Sequence, residues 1–457
     1  MRCGRRHSRG PAAGPQFPGA ASTGAPPLTG LTAVPATQAS GSGWAWNGGT
    51  GAVNITGAIV FAGFDVAGDL NINASGVTIS GSTINGEITV AGSGGPVTGT
   101  LISKCVIIAG GEGIKLGDGG ANIPANTTIA DCTISGSNAT WGRLAYGVDD
   151  NYFNAVNTVI LRCNIYWCRV AATLNSGLIQ DCYFHDWGYI NGDHSDGVAV
   201  AGVPSGSSLQ ILHSAILMQS NETSPVPMGS DAYPCQDITV DSCLLAGGDY
   251  GIYAGFQGNA RHVDGGCATH GTASVDDAAA AAGDLGAVIT GSGIPANTSI
   301  IAVFPGSGYT LSQAATTSLG SVTLTVTFLN LWLRTDPGCA ISSTSSLVVS
   351  DPSAVSSDVG ATVTCTTAGK IPAFTTITAA GSGSYTLSAL PLATGSGLTF
   401  QVHFTNNLTI TRNRFSEMFF PGCGSTGNPA ADWDPAPPSN VWAGNVFHES
   451  AAPVSHP

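Results

Sequence analysis

The chain predicts an all-β protein, a parallel β-helix interrupted by two small antiparallel β modules, on three observations. First, one phrase recurs: an aliphatic residue, two fillers, a small polar residue, a filler, then Ile, Leu or Phe. It reads ISKCVI at Cys105, IADCTI at Cys132, ILRCNI at Cys163, IQDCYF at Cys182 and VDSCLL at Cys243, with softer copies at Ser82, Ser214, Asn413 and Asn445. Second, the intervals between copies are 23, 27, 31, 19, 32, 29, 170 and 32 residues. Unequal periods with one polar slot per period suit a solenoid whose coils stack while their loops vary. The phrase is rich in Val, Ile and Thr, so the coils are strands. Third, the 170-residue interval holds a duplication. Asp284–Ser312 recurs as Asp358–Ser388, pairing Gly286 with Gly360, Pro295 with Pro372 and Tyr309 with Tyr385.

The elements follow in chain order. Residues 1–40, rich in Pro, Ala, Gly, Ser and Thr, read as a flexible leader. Their basic start has no apolar stretch behind it, so no secretory signal is recognisable. Residues 41–258 form the first part of the solenoid. Most coils there add a second strand of the form Gly-[Ile/Val]-x-apolar, as at Gly113–Leu116, Gly197–Val200 and Gly251–Ala254, so each coil has at least two strand faces. Residues 259–328 and 341–404 are the two modules, each Gly/Thr-rich and alternating, with 329–340 as a linker. Residues 405–457 carry the last coils and a tail.

The repeat also disposes of most cysteines. Five of the twelve occupy one coil position where Ser and Asn substitute for them, which describes a reduced packing ladder. Cys3, Cys168, Cys235, Cys267, Cys339, Cys365 and Cys423 lie outside it and could hold one or two local bridges. No Cys/His spacing suits zinc.

Charge excludes several functions. Four of 14 basic residues lie in the first ten positions, leaving 10 basic against 28 acidic groups over the rest. Such a surface repels nucleic acid and anionic membrane, and no run of eighteen apolar residues provides a membrane span.

With Phe17–Val34 and Asp432–Val454, the coils resemble the pectate-lyase-like β-helix proteins of actinobacteria and their phages. His185–Val200, HDWGYINGDHSDGVAV, resembles that group's HxDG segment. The resemblance covers most of residues 17–255 and 405–457. It implies a right-handed helix and a place on a virion, as a minor tail or tailspike-like protein, or outside the cell. The expected partners are cell-envelope polysaccharide and either a homotrimer or other tail proteins. It does not imply one activity, because such folds host lyases, hydrolases and inert adhesins. The group's segment continues to a Gln where Ala199 stands here.

Aligning coils on their glycines places Glu112, Tyr146, Arg169, Asp196 and Tyr250 in one outward column and Lys115, Asp149, Ala172, Ala199 and Tyr253 in the next. Turn loops beside them carry His185, Asp186, Trp187, Asp193 and His194. Asp149, Arg169, His194 and Asp196 are the candidate catalytic residues: two carboxylates, a cation and a histidine meet the needs of glycoside hydrolysis. Tyr146, His185, Trp187, Asp193 and Tyr253 are the candidate substrate-binding residues. No cofactor is expected, except that a uronate lyase would use Asp149, Asp150 and Asp196 to hold calcium, with Arg169 as base. The plainer reading is structural: Asp149-Asp150-Asn151 as a turn, Asp193 and Asp196 as caps, and an Arg169–Asp196 surface ion pair. Three functions follow in order: a glycan-binding adhesin, a polysaccharide depolymerase (lyase or glycoside hydrolase), and a stiff tail spacer.

Overall fold

The computed structural model describes residues 16–91, 95–117, 123–138, 142–150, 155–188, 190, 194–204, 206–229, 235–255, 261–280, 288–295, 298–304, 306–327, 333–354, 358–372, 375–381, 383–403, 405–434, 437 and 439–456. The chain coils through three sheets of 11, 10 and 9 strands, parallel except for the antiparallel opening of the last, so each coil shows three strand faces. One coil shows the pattern. Leu101–Ser103 lies in the ten-stranded back sheet, Val106–Ala109 in the eleven-stranded ladder sheet and Glu112–Leu116 in the nine-stranded site sheet. Alternation turns Ile102, Ile107, Ile114 and Leu116 inward, all at 0% exposure. Each stacks on the equivalent residue of the next coil: Ile129, Ile134 and, for Ile114, Val148. Each such burial contributes roughly 1.5–3 kcal/mol, which makes the stack of coils one continuous core.

The repeated phrase spans two faces at once. Its second filler is a one-residue corner in the left-handed region: Lys104, Asp131, Arg162, Asp181, His213, Ser242 and Arg412 have φ of 42–57°, and Gly81 and Gly444 do the same. A single residue turns the chain from back sheet to ladder sheet, so no loop composition marks the boundary. Non-glycine residues there cost roughly 1–2 kcal/mol each, offset by the residue that follows. Strand register aligns Ser82, Cys105, Cys132, Cys163, Cys182, Ser214, Cys243, Asn413 and Asn445 in one stack. Each side chain serves its neighbours. Ser214 Oγ accepts the Cys182 N–H at 3.1 Å, Asn413 Oδ1 accepts the Cys243 N–H at 2.9 Å, and Cys105 Sγ donates to the Ser103 carbonyl. Burial pushes the Cys243 thiol up to about 12, so that thiol is a poor nucleophile. None of the eleven described cysteines is in a disulfide, so no local bridge forms among Cys168, Cys235, Cys267, Cys339, Cys365 and Cys423; Cys3 lies outside the described residues.

Both ends of the solenoid are covered, as unpaired edge strands require. At the start Trp44–Asn47 runs antiparallel to Ala52–Ile55, and Trp44 packs edge-on against Phe61 at 5.2 Å. At the far end the Trp442 indole N–H donates to the Val454 carbonyl at 2.9 Å. Within the expected leader, residues 16–34 form a strap and not a loose tether. The Gln16 carbonyl meets His213 Nε2, Gly24 N–H donates to the Arg162 carbonyl, and Ala25 N–H donates to Thr133 Oγ1. Thr32–Val34 then pairs with Phe64–Val66. Composition read this stretch as flexible because Pro and Gly also suit an extended segment whose few N–H groups dock on another surface. Gly24, at φ 85°, has no room for a Cβ, which would lie 2.6 Å from Thr133 Oγ1.

The modules are two six-stranded antiparallel sheets of identical topology. The first runs Val288–Gly291, Ser318–Thr327, Arg261–His270, Ser274–Asp276, Gly308–Leu311, Ile300–Phe304 across the sheet. The second runs Thr362–Cys365, Gly395–His403, Leu333–Ile341, Val348–Ser350, Ser384–Leu387, Ile377–Gly381. The expected linker therefore supplies most of the second module's long opening strand. Pro337 and Gly338 obscured this, since they form a bulge within it. The solenoid continues across the insertion unbroken, with Val240 opposite Ile410.

Candidate functional site

The site sheet positions the candidate residues. Tyr146, Val170 and Asp196 are register partners, and so are Asp149, Thr173 and Ala199. Arg169 and Ala172 are thus one residue out of the columns expected for them. The cause is Ala171, which stands where Gly147 and Gly197 stand in neighbouring coils, so the glycine alignment slipped there. Arg169 still reaches the site: its Nη2 donates to the Tyr146 hydroxyl at 2.7 Å, and its guanidinium carbon lies 5.0 Å from the centre of that ring.

An open depression of about 340 Å³ lies on this face, lined by Tyr146, Arg169, Val170, Thr173, His194, Asp196, Ala199, Val200, Ala201, Thr223, Pro227 and Gly229. It brings together Tyr146, Arg169, His194 and Asp196 from four sequence positions spread over 51 residues. Asp149 sits behind it. That carboxylate accepts a 2.7 Å hydrogen bond from Thr173 Oγ1, which itself accepts the Asp150 N–H. Burial, supplemented by the charge of Glu112, raises the Asp149 carboxyl above its ordinary value, against the Thr173 hydrogen bond and the cations Lys115 and Arg169. Asp150 is buried and accepts the Ala155 N–H at 2.8 Å.

Other candidates fall elsewhere. Trp187 is 2% exposed and its indole N–H donates to the Arg169 carbonyl at 2.9 Å. It braces the site from within and offers no ring face to a ligand. His185 belongs to the ladder sheet, opposite Tyr166, where its ring stacks 4.0 Å from Tyr183 and bonds Asp186 and Asn164. The left-handed Asp186, φ 48°, turns the chain between these two residues, so neighbours in sequence part to different faces. Tyr253 is the register partner of Pro227 and so borders the depression. Asp193 lies outside the described residues. Thr173, Thr223 and Pro227 were missed, since nothing but correct register points to them.

The arrangement limits the chemistry. Among the described residues lining the depression, only Asp196 brings a carboxylate, whereas glycoside hydrolysis takes two flanking the bond. Among the described residues no three His, Cys, Asp or Glu side chains are grouped so as to hold a metal ion, and of the calcium set Asp149, Asp150 and Asp196 only Asp196 lines the depression.

No family model matches the chain, and no curated protein does. Two solved structures are similar to it. One is a tailspike protein of E. coli bacteriophage HK620 in complex with a pentasaccharide, at 14% identity and a TM-score of 0.25, over 60% of this chain and 59% of that one. The other is the tailspike of Pseudomonas phage phi297, at 12% identity and a TM-score of 0.20, over 60% and 61%. The chain spans about three fifths of the length of each. The parallel β-helix itself rests on the strand register described above. No helix among the described residues is long and apolar enough to cross a membrane.

Proposed function

We propose that this chain is a glycan-binding protein of a virion or other extracellular surface, holding cell-envelope polysaccharide against its site sheet. The observation that carries this reading is the half-buried Tyr146 ring, capped by Arg169 and set beside Asp196 and His194 in an open depression. A ring face with converging donors and acceptors suits a sugar, which is apolar on its C–H faces and polar at its rim. The virion setting follows from the resemblance of the coils and of Phe17–Val34 to phage and actinobacterial β-helix proteins. A cleaving version keeps one point in its favour: the raised carboxyl of Asp149 near Arg169, since perturbed acids gather at catalytic sites. Binding without cleavage fits better because that carboxyl is engaged by Thr173.

One experiment separates the versions. The protein is incubated with envelope polysaccharides, binding is followed by calorimetry, and new reducing ends and unsaturated-uronate absorbance are monitored. Binding with no new ends, weakened by Tyr146→Ala, is expected. Chain shortening that disappears in Asp196→Asn would establish the depolymerase instead. The absence of binding to any glycan would defeat both.

A further inference from the structure

We infer that the glycan held here is an extended chain of neutral or amine-bearing sugars, spanning two depressions bridged by Tyr253, and that uronate-rich chains are turned away. This rests on the glycan-binding reading and adds length and charge class to it.

Length comes from geometry. A second open depression, about 520 Å³ in volume, is lined by Tyr250, Ala431, Asp432 and His456 among others. Pro227 in the first depression, Tyr253, and Ala431 in the second are register partners on three successive strands. Tyr253 thus stands one strand from each, half-buried, its ring 4.9 Å from Tyr250 and at 67° to it. From the strand of Tyr146 to the strand of Ala431 the sheet advances by five spacings, roughly 24 Å at about 4.8 Å each. A disaccharide covers only part of that path.

Charge class comes from what borders it. Asp196 lines the first depression and Asp432 the second. Asp249 precedes Tyr250 and is held by the Ser425 hydroxyl at 2.7 Å. Their fields converge on Tyr253, whose phenol is raised well above its ordinary value by burial first, then by Asp249, Tyr250, Asp432 and Asp196. Among the described residues lining either depression, Arg169 is the only Lys or Arg, and its guanidinium already serves Tyr146. The whole chain carries a net charge of −14. A polyuronate laid along this face meets three carboxylates against one guanidinium, and such like-charge juxtaposition is costly. A neutral sugar meets no such opposition, and an amine is attracted.

The test uses the full chain on an array of bacterial polysaccharides grouped as neutral, amine-bearing and uronate-rich, then calorimetry with size-graded fragments of the class that binds. Neutral or amine-bearing glycans should bind, with affinity rising about tenfold or more from disaccharide to hexasaccharide, the scale of one well-placed ring contact. Tyr253→Ala should abolish that rise, so that disaccharide and hexasaccharide bind alike; Tyr253→Leu, which keeps the bulk, serves if the first variant lowers the thermal transition. The pair Asp249→Asn with Asp432→Asn should admit uronate-rich fragments that the unaltered chain rejects. Preferential uronate binding by the unaltered chain overturns the charge assignment, and affinity independent of length overturns the bridged groove. In both cases glycan binding itself stands, whereas silence across the whole array removes that reading and this one together.

Discussion

The corner stack of the solenoid and the inserted modules bury polar groups in opposite ways. The solenoid corner stack is neutral: Ser, Cys and Asn side chains each settle backbone groups of adjoining coils. The modules bury carboxylates. Asp264 and Asp277 are 8% and 3% exposed in the first, and Asp336, Asp351 and Asp358 are at most 1% exposed in the second. Cys267 Sγ donates to the Asp264 carbonyl and Cys339 Sγ to the Asp336 carbonyl, so the duplication preserved this arrangement. In the second module Arg334 donates to both Asp336 and Asp358, and the Tyr385 hydroxyl donates to Asp358 at 2.6 Å. Asp351 gains no such cation of its own. Burial first, then the charge of Asp336, push its carboxyl up to about 7, against the Ser353 N–H bond. The difference teaches that the corner stack is built to ignore pH and the second module is not.

The strongest way to break this contrast is to excise both modules, rejoining residues 258 and 405. Because Val240 and Ile410 are already partners, the solenoid should keep one cooperative unfolding transition in calorimetry, and the pH dependence carried by Asp351 should vanish. A broad, non-cooperative melt would show that the modules hold the solenoid together.

Next in size is Arg334→Met, which leaves Asp336 and Asp358 buried without their cation. A loss of about 3–5 kcal/mol from the second module is expected, read as a fall in its own transition with the solenoid transition unmoved. A smaller effect follows from pH alone. The Asp351 carboxyl is raised on folding from 3.8 to about 7. Its contribution is therefore complete below about pH 4 and lost as pH rises through 7, on the order of a few kcal/mol at roughly 1.4 per unit. Asp351→Asn should flatten that dependence between pH 4 and 7; an unchanged slope would place the titrating group elsewhere. Smallest is the ladder. Asn413→Ala leaves the Cys243 N–H without its acceptor and should cost about 1–3 kcal/mol, whereas Cys163→Ser should cost less than Cys163→Ala in the same denaturant titration.

Much of this was legible in the sequence because a ladder residue is chosen for its place in a stack. Only small side chains able to donate to a nearby carbonyl fit, so Cys, Ser and Asn repeat visibly. The corner before it was hidden because the next coil compensates its strain, which lets Lys104 or Arg162 sit where glycine would announce a turn. That is why the sequence marks at least two faces per coil without showing the third. At the site, Asp149, Arg169, His194 and Asp196 were expected in one groove; the structure gathers the last three with Tyr146 although Ala171 broke the register, and sets Asp149 behind them. Trp187 and His185 were misjudged for a different reason. A Trp whose N–H bonds an internal carbonyl has the same sequence signature as one that stacks on a ligand, and the turn at Asp186 divides two adjacent residues between faces.

The strap of residues 16–34 has a mechanical consequence. A bare solenoid transmits force only between adjoining coils, so tension on its end peels them off in sequence. Here one segment is fastened at His213, Arg162, Thr133 and Phe64 in turn, lying across the coils like a batten nailed over planks. Peeling any covered coil must also tear out the batten. The stack of coils is thereby stiffened along its length.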